Sequence, residues 1–567
     1  MSLTQLRPFL WAALAIALFL NWQMWQRDYP PPAPPAAAAN GSARDLANDV
    51  PSAGPAAPTA PITAPAAGAA GIPANTPATA AAASEPEAGV VTVKTDVLDV
   101  RIGLKGGELQ QAELPQYPLV KNQPGVPVRL LQNDGPDALY VLQTGLGGER
   151  ADQPRPTHLA IWKAIANEFV LLDGEQTLAV PLTWTSPDGV TVTKTFKFSR
   201  GGYRIDLEYA VDNPTDAPWT ARSYAQILRD RPPVERSYFN PSTYAFEGPA
   251  IYDGRKYRKL KITDSDDANL SLDYTFGWLS SLQHHFVAAV VPPKDASYHY
   301  ALKVAGHEYL ISAAGPWQTV APHAQATFAE SLFVGPKLQR QLDEIHPELS
   351  RVADYGMLTV LAKPLFLVLE FIHRIFGNWG VAIILTTALL KLLFYPLSEA
   401  SGKSMARMRT IGPRMKQLQE TYKDDREKLG RAMMDLYKRE KVNPAAGCLP
   451  MLIQFPVFIA FYWVLLESVE MRQAPFFGWI QDLSSRDPYF ILPIIMAGAM
   501  FLQYKLQPTP ADPVQAKVFM ILPIVMSVTF AFFPSGLVLY WVTNTLLTIA
   551  QQWNINRRIE AAAARRH

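Results

Sequence analysis

Lys391 is a cation inside a run, Trp379 to Leu397, that otherwise reads as a membrane-spanning helix. An ionisable side chain at the centre of such a helix costs on the order of 2.5–3.5 kcal/mol on insertion scales, so it marks a place where charge has a use. Two chemistries fit. The ammonium can hold an anionic group in a polar cavity, or it can snorkel along its own stem to the nearer water. A rise of about 1.5 Å per residue puts it roughly 18 Å from Trp379 and about 9 Å from Leu397, so position alone leaves both open. Thr387 lies one turn away on the same face. On the last apolar segment Trp541, Asn544, Thr545, Thr548 and Gln552 recur at three-to-four spacing, next to Tyr540, and Gln454 adds an amide to another segment. Stripes of this kind facing each other make a wet groove, or they serve as interhelical hydrogen-bonding glue.

Other chemistries find no support in the residue pattern. Gly402-Lys403-Ser404 suggests a phosphate loop, but Leu397 stands where its first glycine belongs and no strand precedes it. Neither a nucleophile elbow nor a zinc-protease helix motif occurs, and the spans carry no paired carboxylates. His158, His299, His307 and His323 lack ligand spacing, and the adjacent His284 and His285 would point to opposite faces of a strand. The expectation is a non-enzymatic protein without nucleotide, metal or cofactor.

The elements that position these residues follow from composition. A 567-residue chain with 49 % hydrophobic residues and a net charge of +2 mixes membrane and water-soluble parts and gives no sign of DNA binding. One cysteine, Cys448, excludes an intramolecular disulfide. Residues 1–28 read as an uncleaved signal anchor, because Trp22, Met24 and Trp25 follow the apolar run where a cleavage site would need small residues. Residues 29–89, almost all Pro, Ala, Gly, Thr and Ser, read as a disordered tether. From 90 to about 340 the period becomes two, with turns at Asp188-Gly189 and Gly201-Gly202. That predicts an extracytoplasmic all-β sandwich. Residues 341–377 read as an interfacial amphipathic region, and 378–556 as a core of five further spans, six in all with the anchor.

Charge sets the orientation. The segment 401–447 carries Lys403, Arg407, Arg409, Arg414, Lys416, Lys423 and Arg426 among its twelve cations, against Arg472 and Arg486 in the loop 467–488. By the positive-inside rule this segment and the basic tail 557–567 are cytoplasmic, and the β-domain lies on the opposite side. Met405, Met408, Ile411, Met415, Leu418 and Tyr422, then Leu429, Met433, Leu436 and Tyr437, predict a helical hairpin. Its basic surface is either a solvated face or a contact for ribosomal RNA, anionic lipid or a targeting receptor.

Asn378-Trp-Gly380, Phe394-Tyr-Pro-Leu397, Lys441-Val-Asn-Pro444, Gly447-Cys-Leu-Pro450, Leu452-Ile-Gln-Phe-Pro456, Arg472-Gln-Ala-Pro475, Asp487-Pro-Tyr489 and Phe533-Pro-Ser-Gly-Leu-Val-Leu-Tyr540 together resemble the YidC family of membrane protein insertases in its Gram-negative form. The resemblance implies a hydrophilic groove open to cytoplasm and lipid, with Lys391 at the position of the family's positive residue. That residue is usually arginine in proteobacteria, so this chain keeps the charge and lacks the planar fork of donors. Trp541 stands where the pattern often has a second tyrosine. The implied partners are nascent inner-membrane proteins, the Sec translocon, the ribosome and anionic lipids. The residues by themselves leave two other readings open: a gradient-driven transporter with Lys391 as its site, and a sugar-binding β-domain using Trp184, Trp219 or Trp317.

Overall fold

The computed structural model describes residues 46–51, 89–121, 123–135, 138–149, 154–231, 245–422, 425–440, 449–506 and 513–564. The expected anchor 1–28, most of the tether, Lys423 and Cys448 lie outside the described residues. The chain divides into two compact units, with the boundary of interest between Val352 and Ala353.

The first unit is a mainly antiparallel sandwich with an eleven-stranded and a nine-stranded sheet among the described residues, and Val90–Lys94 pairs in parallel with Glu168–Val170. Alternation builds it: on the strand Arg204–Asn213, Ile205, Leu207, Tyr209 and Val211 are buried while their neighbours are not. Both turns expected from glycine form. Gly189 (φ 97°) closes the hairpin between Thr177–Thr185 and Thr191–Ser199, and Gly201 (φ 68°) the next one, with Phe198 opposite Ile205. Polar groups cross between the sheets. Tyr140 Oη donates to the Ser281 carbonyl at 2.9 Å, and Arg229 Nη1 to that of Leu282 at 2.8 Å. The expectation for His284 and His285 is corrected. They lie in the turn between Trp278–Leu282 and Phe286–Val291, not on a strand, and their rings stack at 3.9 Å.

Residues 46–51 of the expected tether are among the described residues and are packed. Leu46–Pro51 packs on the eleven-stranded sheet, with Leu46 only 8 % exposed against Val141, Leu228 and Leu310. Composition predicts disorder for all of 29–89; these six residues depart from it because they carry an aliphatic side chain and an acid that the sheet can bind.

The second unit is helical: α1 (Thr359–Phe376), α2 (Trp379–Leu393), α3 (Tyr395–Thr410), α4 (Gly412–Thr421), α5 (Arg426–Arg439), α6 (Leu449–Glu467), α7 (Ile491–Leu506), α8 (Pro513–Phe530) and α9 (Ser535–Ala564). Gly377 ends α1 in the left-handed conformation (φ 64°), and the Asn378 side chain then caps α2 by accepting from Val381 N at 3.0 Å. Across this turn the rings of His373 and Trp379 stack at 4.0 Å. Asp487, 1 % exposed, does the same for α7: it accepts from Leu492 N at 2.7 Å and from Trp479 Nε1 at 3.1 Å.

Among the described residues no single helix is long and apolar enough to cross a membrane. A bent pair, Trp379–Leu393 with Tyr395–Ser404 at 61°, meets both conditions together. The sequence predicts one straight span to Leu397. The structure instead breaks it at Phe394, because Pro396 has no N–H for the Leu392 carbonyl and its ring crowds that carbonyl, which ends a helix of about 22 Å. Pro456 and Pro523 likewise stand inside α6 and α8.

Candidate functional site

In the helical unit α2 packs against both α1 and α9. Their apolar seam includes Ile383, Phe461, Leu537 and Tyr540, while Leu392, Leu393, Ile494, Ile524 and Val528 face outward, each at least 60 % exposed. The outward faces of α2, α7 and α8 are therefore apolar. Its buried polar side chains include Thr386, Thr387, Lys391, Thr543 and Thr545.

Five of the seven expected groove residues line one cavity: Thr387, Lys391, Gln454, Tyr540 and Asn544, together with Leu390, Phe394 and Val457. About 250 Å³ of empty space lies among these side chains, open solvent included. Three helices supply the walls. Thr387 and Lys391 come from α2, Gln454 and Val457 from α6, and Tyr540 and Asn544 from α9.

Lys391 is 5 % exposed, and its Nζ donates to Thr548 Oγ1 at 2.8 Å. That hydroxyl is used twice, since it also donates to the Asn544 carbonyl at 2.7 Å. Gln551 Nε2 donates to the Lys391 carbonyl at 3.2 Å, just before the break between α2 and α3. Thr387 donates into its own helix, to the Ile383 carbonyl at 2.7 Å, and faces the cavity as an acceptor.

Two expected residues are placed elsewhere. Trp541 sets its ring edge-on to Phe458 at 4.9 Å and beside Phe530 at 5.2 Å. Thr545 is 2 % exposed and does not line the cavity. Gln552, the last member of the stripe, hydrogen-bonds Asn556 along its own helix. Thr548 was visible in the stripe as one polar residue among several. Gln551 carried no signal of its own, because its link to Lys391 depends on the bend.

The hairpin residues fall on three helices: Lys403, Arg407 and Arg409 on α3, Arg414 and Lys416 on α4, and Arg426 at the start of α5. Ile411 and Met415 pack against Met433, Leu436 and Tyr437, so α4 and α5 close on each other. Lys403 pairs with Glu399 at 2.7 Å, and Arg414 pairs with Glu440. Gly402, which looks like part of a phosphate loop, is instead a contact point within a helix. A Cβ there would meet Ile555 Cγ2 of α9 at 2.9 Å.

An apolar exterior around a polar cavity, in a chain that also carries a large antiparallel sandwich, defines a membrane protein with an appended water-soluble domain. Comparison with known proteins makes the class specific. The family model described as "60Kd inner membrane protein" matches residues 371–562, and that described as "YidC periplasmic domain" matches 90–368. The chain is 48 % identical to the membrane protein insertase YidC of Thioalkalivibrio sulfidiphilus over 98 % of its length and 99 % of that protein's. It is 44 % identical to the YidC of Nitrosococcus oceani, again over 98 % and 99 %. A solved structure of an active YidC insertase with its first transmembrane domain resolved is 19 % identical, with a TM-score of 0.37 over 82 % of this chain and 92 % of that one. The chain belongs to the YidC family of membrane protein insertases.

Proposed function

We propose that the chain inserts nascent inner-membrane proteins by admitting a short hydrophilic tail of the substrate to the cavity around Lys391. The observation that carries this reading is the Lys391–Thr548 hydrogen bond. It keeps a buried ammonium on a neutral hydroxyl, a partner that a carboxylate displaces with gain, because hydrogen bonds to an ionised acceptor are roughly twice as strong. Thr387, Gln454 and Asn544 offer further polar contacts. The apolar segment of the substrate then leaves along the outward faces of the helices into lipid, and its burial drives the step at about 25 cal/mol per Å².

Six spans, the anchor and five in the core, set the frame of this proposal. The basic segment 401–447 and the C-terminal tail are cytoplasmic, and the β-domain lies outside as an accessory. α1 lies at the interface: Val360, Leu367, Phe371 and Ile375 are exposed on one side, while Leu365, Phe366 and Leu369 pack inward. The basic hairpin meets the ribosome, a targeting receptor or anionic lipid, and the chain works alone or beside the Sec translocon.

The test uses the purified full chain in vesicles without nucleotide or gradient, and a single-span substrate with a photocrosslinker in its tail. Crosslinks from the tail to the surroundings of Lys391 are expected. Lys391→Glu should block acidic-tailed substrates and spare neutral-tailed ones. Equal insertion of both by that variant would exclude a role for the charge.

A further inference from the structure

The sheet face beneath Leu46–Pro51 is built as a receptor for an extended peptide. Its apolar end is formed by Val141, Leu228 and Leu310, contributed by three neighbouring strands, and these cover Leu46. Two residues along the same strands, the register places Gln143 opposite Gln226, on the same face as Val141 and Leu228. Gln226, fully buried, donates to the Asp49 carbonyl at 3.0 Å and to Gln143 Oε1 at 2.8 Å. Gln143 in turn donates to Glu108 at 3.0 Å. His158, 2 % exposed, reaches the Ala47 carbonyl through Nε2 at 3.0 Å, and Arg222 donates to the Pro51 carbonyl at 2.5 Å. Lys303 pairs with the Asp49 carboxylate. Gly147 lies beneath Val50, where a Cβ would come 3.9 Å from Val50 Cγ1.

Three backbone carbonyls, one aliphatic side chain and one carboxylate are thus met by separate partners within six residues. Low-complexity chain lying on a surface by chance does not acquire such a set, because each ordered residue costs roughly 1–2 kcal/mol of backbone entropy. We propose that the β-domain carries a linear-peptide docking site, specific for an aliphatic residue followed three positions on by an acid, and that the chain's own Leu46–Pro51 occupies it as a latch on the tether.

The latch has a mechanical consequence, which rests on the reading of residues 1–28 as the anchor. With the segment undocked, 61 residues (29–89) separate the anchor from the β-domain and span at most about 200 Å. With it docked, only the 17 residues 29–45 count, and the limit falls to about 60 Å. Docking therefore limits how far the anchor can stand from the β-domain, whatever conformation the intervening residues adopt.

The experiment measures docking directly and leaves insertion aside. In the full chain with Cys448→Ser, single cysteines are placed by Leu46→Cys, at the buried position, and by Asn48→Cys, at an exposed one in the same segment, and their maleimide labelling rates are compared. Leu46→Cys should label at least about tenfold more slowly. Adding Asp49→Lys, which sets like charges against Lys303, should bring its rate up to that of Asn48→Cys, and adding Lys303→Glu as well should restore slow labelling. Equal rates at the two positions in the parent chain, or failure of the charge swap to restore protection, would overturn the latch. Neither result touches the insertion mechanism, which the vesicle assay reads separately.

Discussion

Lys391 Nζ and Thr548 Oγ1 lie 2.8 Å apart, joining α2 to α9 across 157 residues of sequence. The bond accounts for how a buried lysine is tolerated: its charge has an acceptor, and that acceptor in turn donates a hydrogen bond to the Asn544 carbonyl. The pair should therefore behave as a unit. Thr548→Val alone is expected to lower stability by about 1–3 kcal/mol, the cost of leaving a buried donor unmet. In a Lys391→Met background the same change should cost close to nothing. A thermal double-mutant cycle on the detergent-solubilised chain reads the coupling, and a value below about 0.5 kcal/mol would separate the two residues.

Gly380 has no room for a side chain. A Cβ there would lie 2.0 Å from Phe476 Cδ2, and the backbone of α2 is held in place by Asn378, which caps it and donates to the Phe476 carbonyl at 3.3 Å. Gly380→Val should cost about 1–3 kcal/mol through overpacking. Phe476→Ala should relieve part of that, so the double variant is expected to be more stable than the two single losses added together. Simple additivity in melting experiments would place the clash elsewhere.

How much of this was legible depended on whether the signal was local. Asp188-Gly189 and Gly201-Gly202 specify their hairpins within a few residues, and Asn378 announces a cap. The pairing of Thr387 with Lys391 on one face needs only helical spacing. Other features depended on geometry that spacing does not contain. A three-to-four stripe covers a broad arc, so Trp541 and Thr545 read like Asn544, although the first packs on Phe458 and the second is buried away from the cavity. The 61° break was written in Pro396 but masked by the apolar run continuing to Leu397. Leu46 and Asp49 were hidden by their neighbourhood, since a composition average over the tether cannot register two residues whose partners, such as Val141 and Lys303, lie far along the chain.

His158 gives the β-domain a pH dependence. Burial pushes its imidazole down to about 4. The Ala47 carbonyl and Asp49 pull it up, and Lys194 pushes it further down. Between about 4 and the ordinary 6.5 the unfolded chain binds a proton that the folded one refuses. The stability His158 contributes is therefore complete above 6.5 and lost as pH falls through 4, on the order of 3 kcal/mol at 1.36 per pH unit. Glu330 and Glu308, raised by burial to about 7 and about 6, slope the other way. The measurement is thus the difference between wild type and His158→Gln in denaturant unfolding from pH 7.5 to 4. A difference that stays constant across that window would remove His158 from the account.

Lys194 is costly to bury and is also one of the cross-ties of the sandwich. It is fully buried, and its Nζ donates to the carbonyls of Gly107 at 2.6 Å, Thr144 at 3.1 Å and Gly106 at 3.2 Å, tying the strand Thr191–Ser199 to the opposite sheet. The rings of Phe196, Trp162 and Tyr209 surround the ammonium at 5.1–5.7 Å. Burial brings its pKa down to about 7, against the pull of Glu108 and Glu330. Lys194→Met fills similar volume, leaves three carbonyls without their donor and removes the positive charge that Glu108 and Glu330 feel. A loss of about 3 kcal/mol is expected, since breaking a buried charged network by removing one partner costs about that much. For a domain of this size it corresponds to a fall in melting temperature of roughly 6–12 °C. If the methionine variant melts at or above the wild-type temperature, the three hydrogen bonds do not offset the desolvation of the lysine, and the network is retained for a reason other than stability.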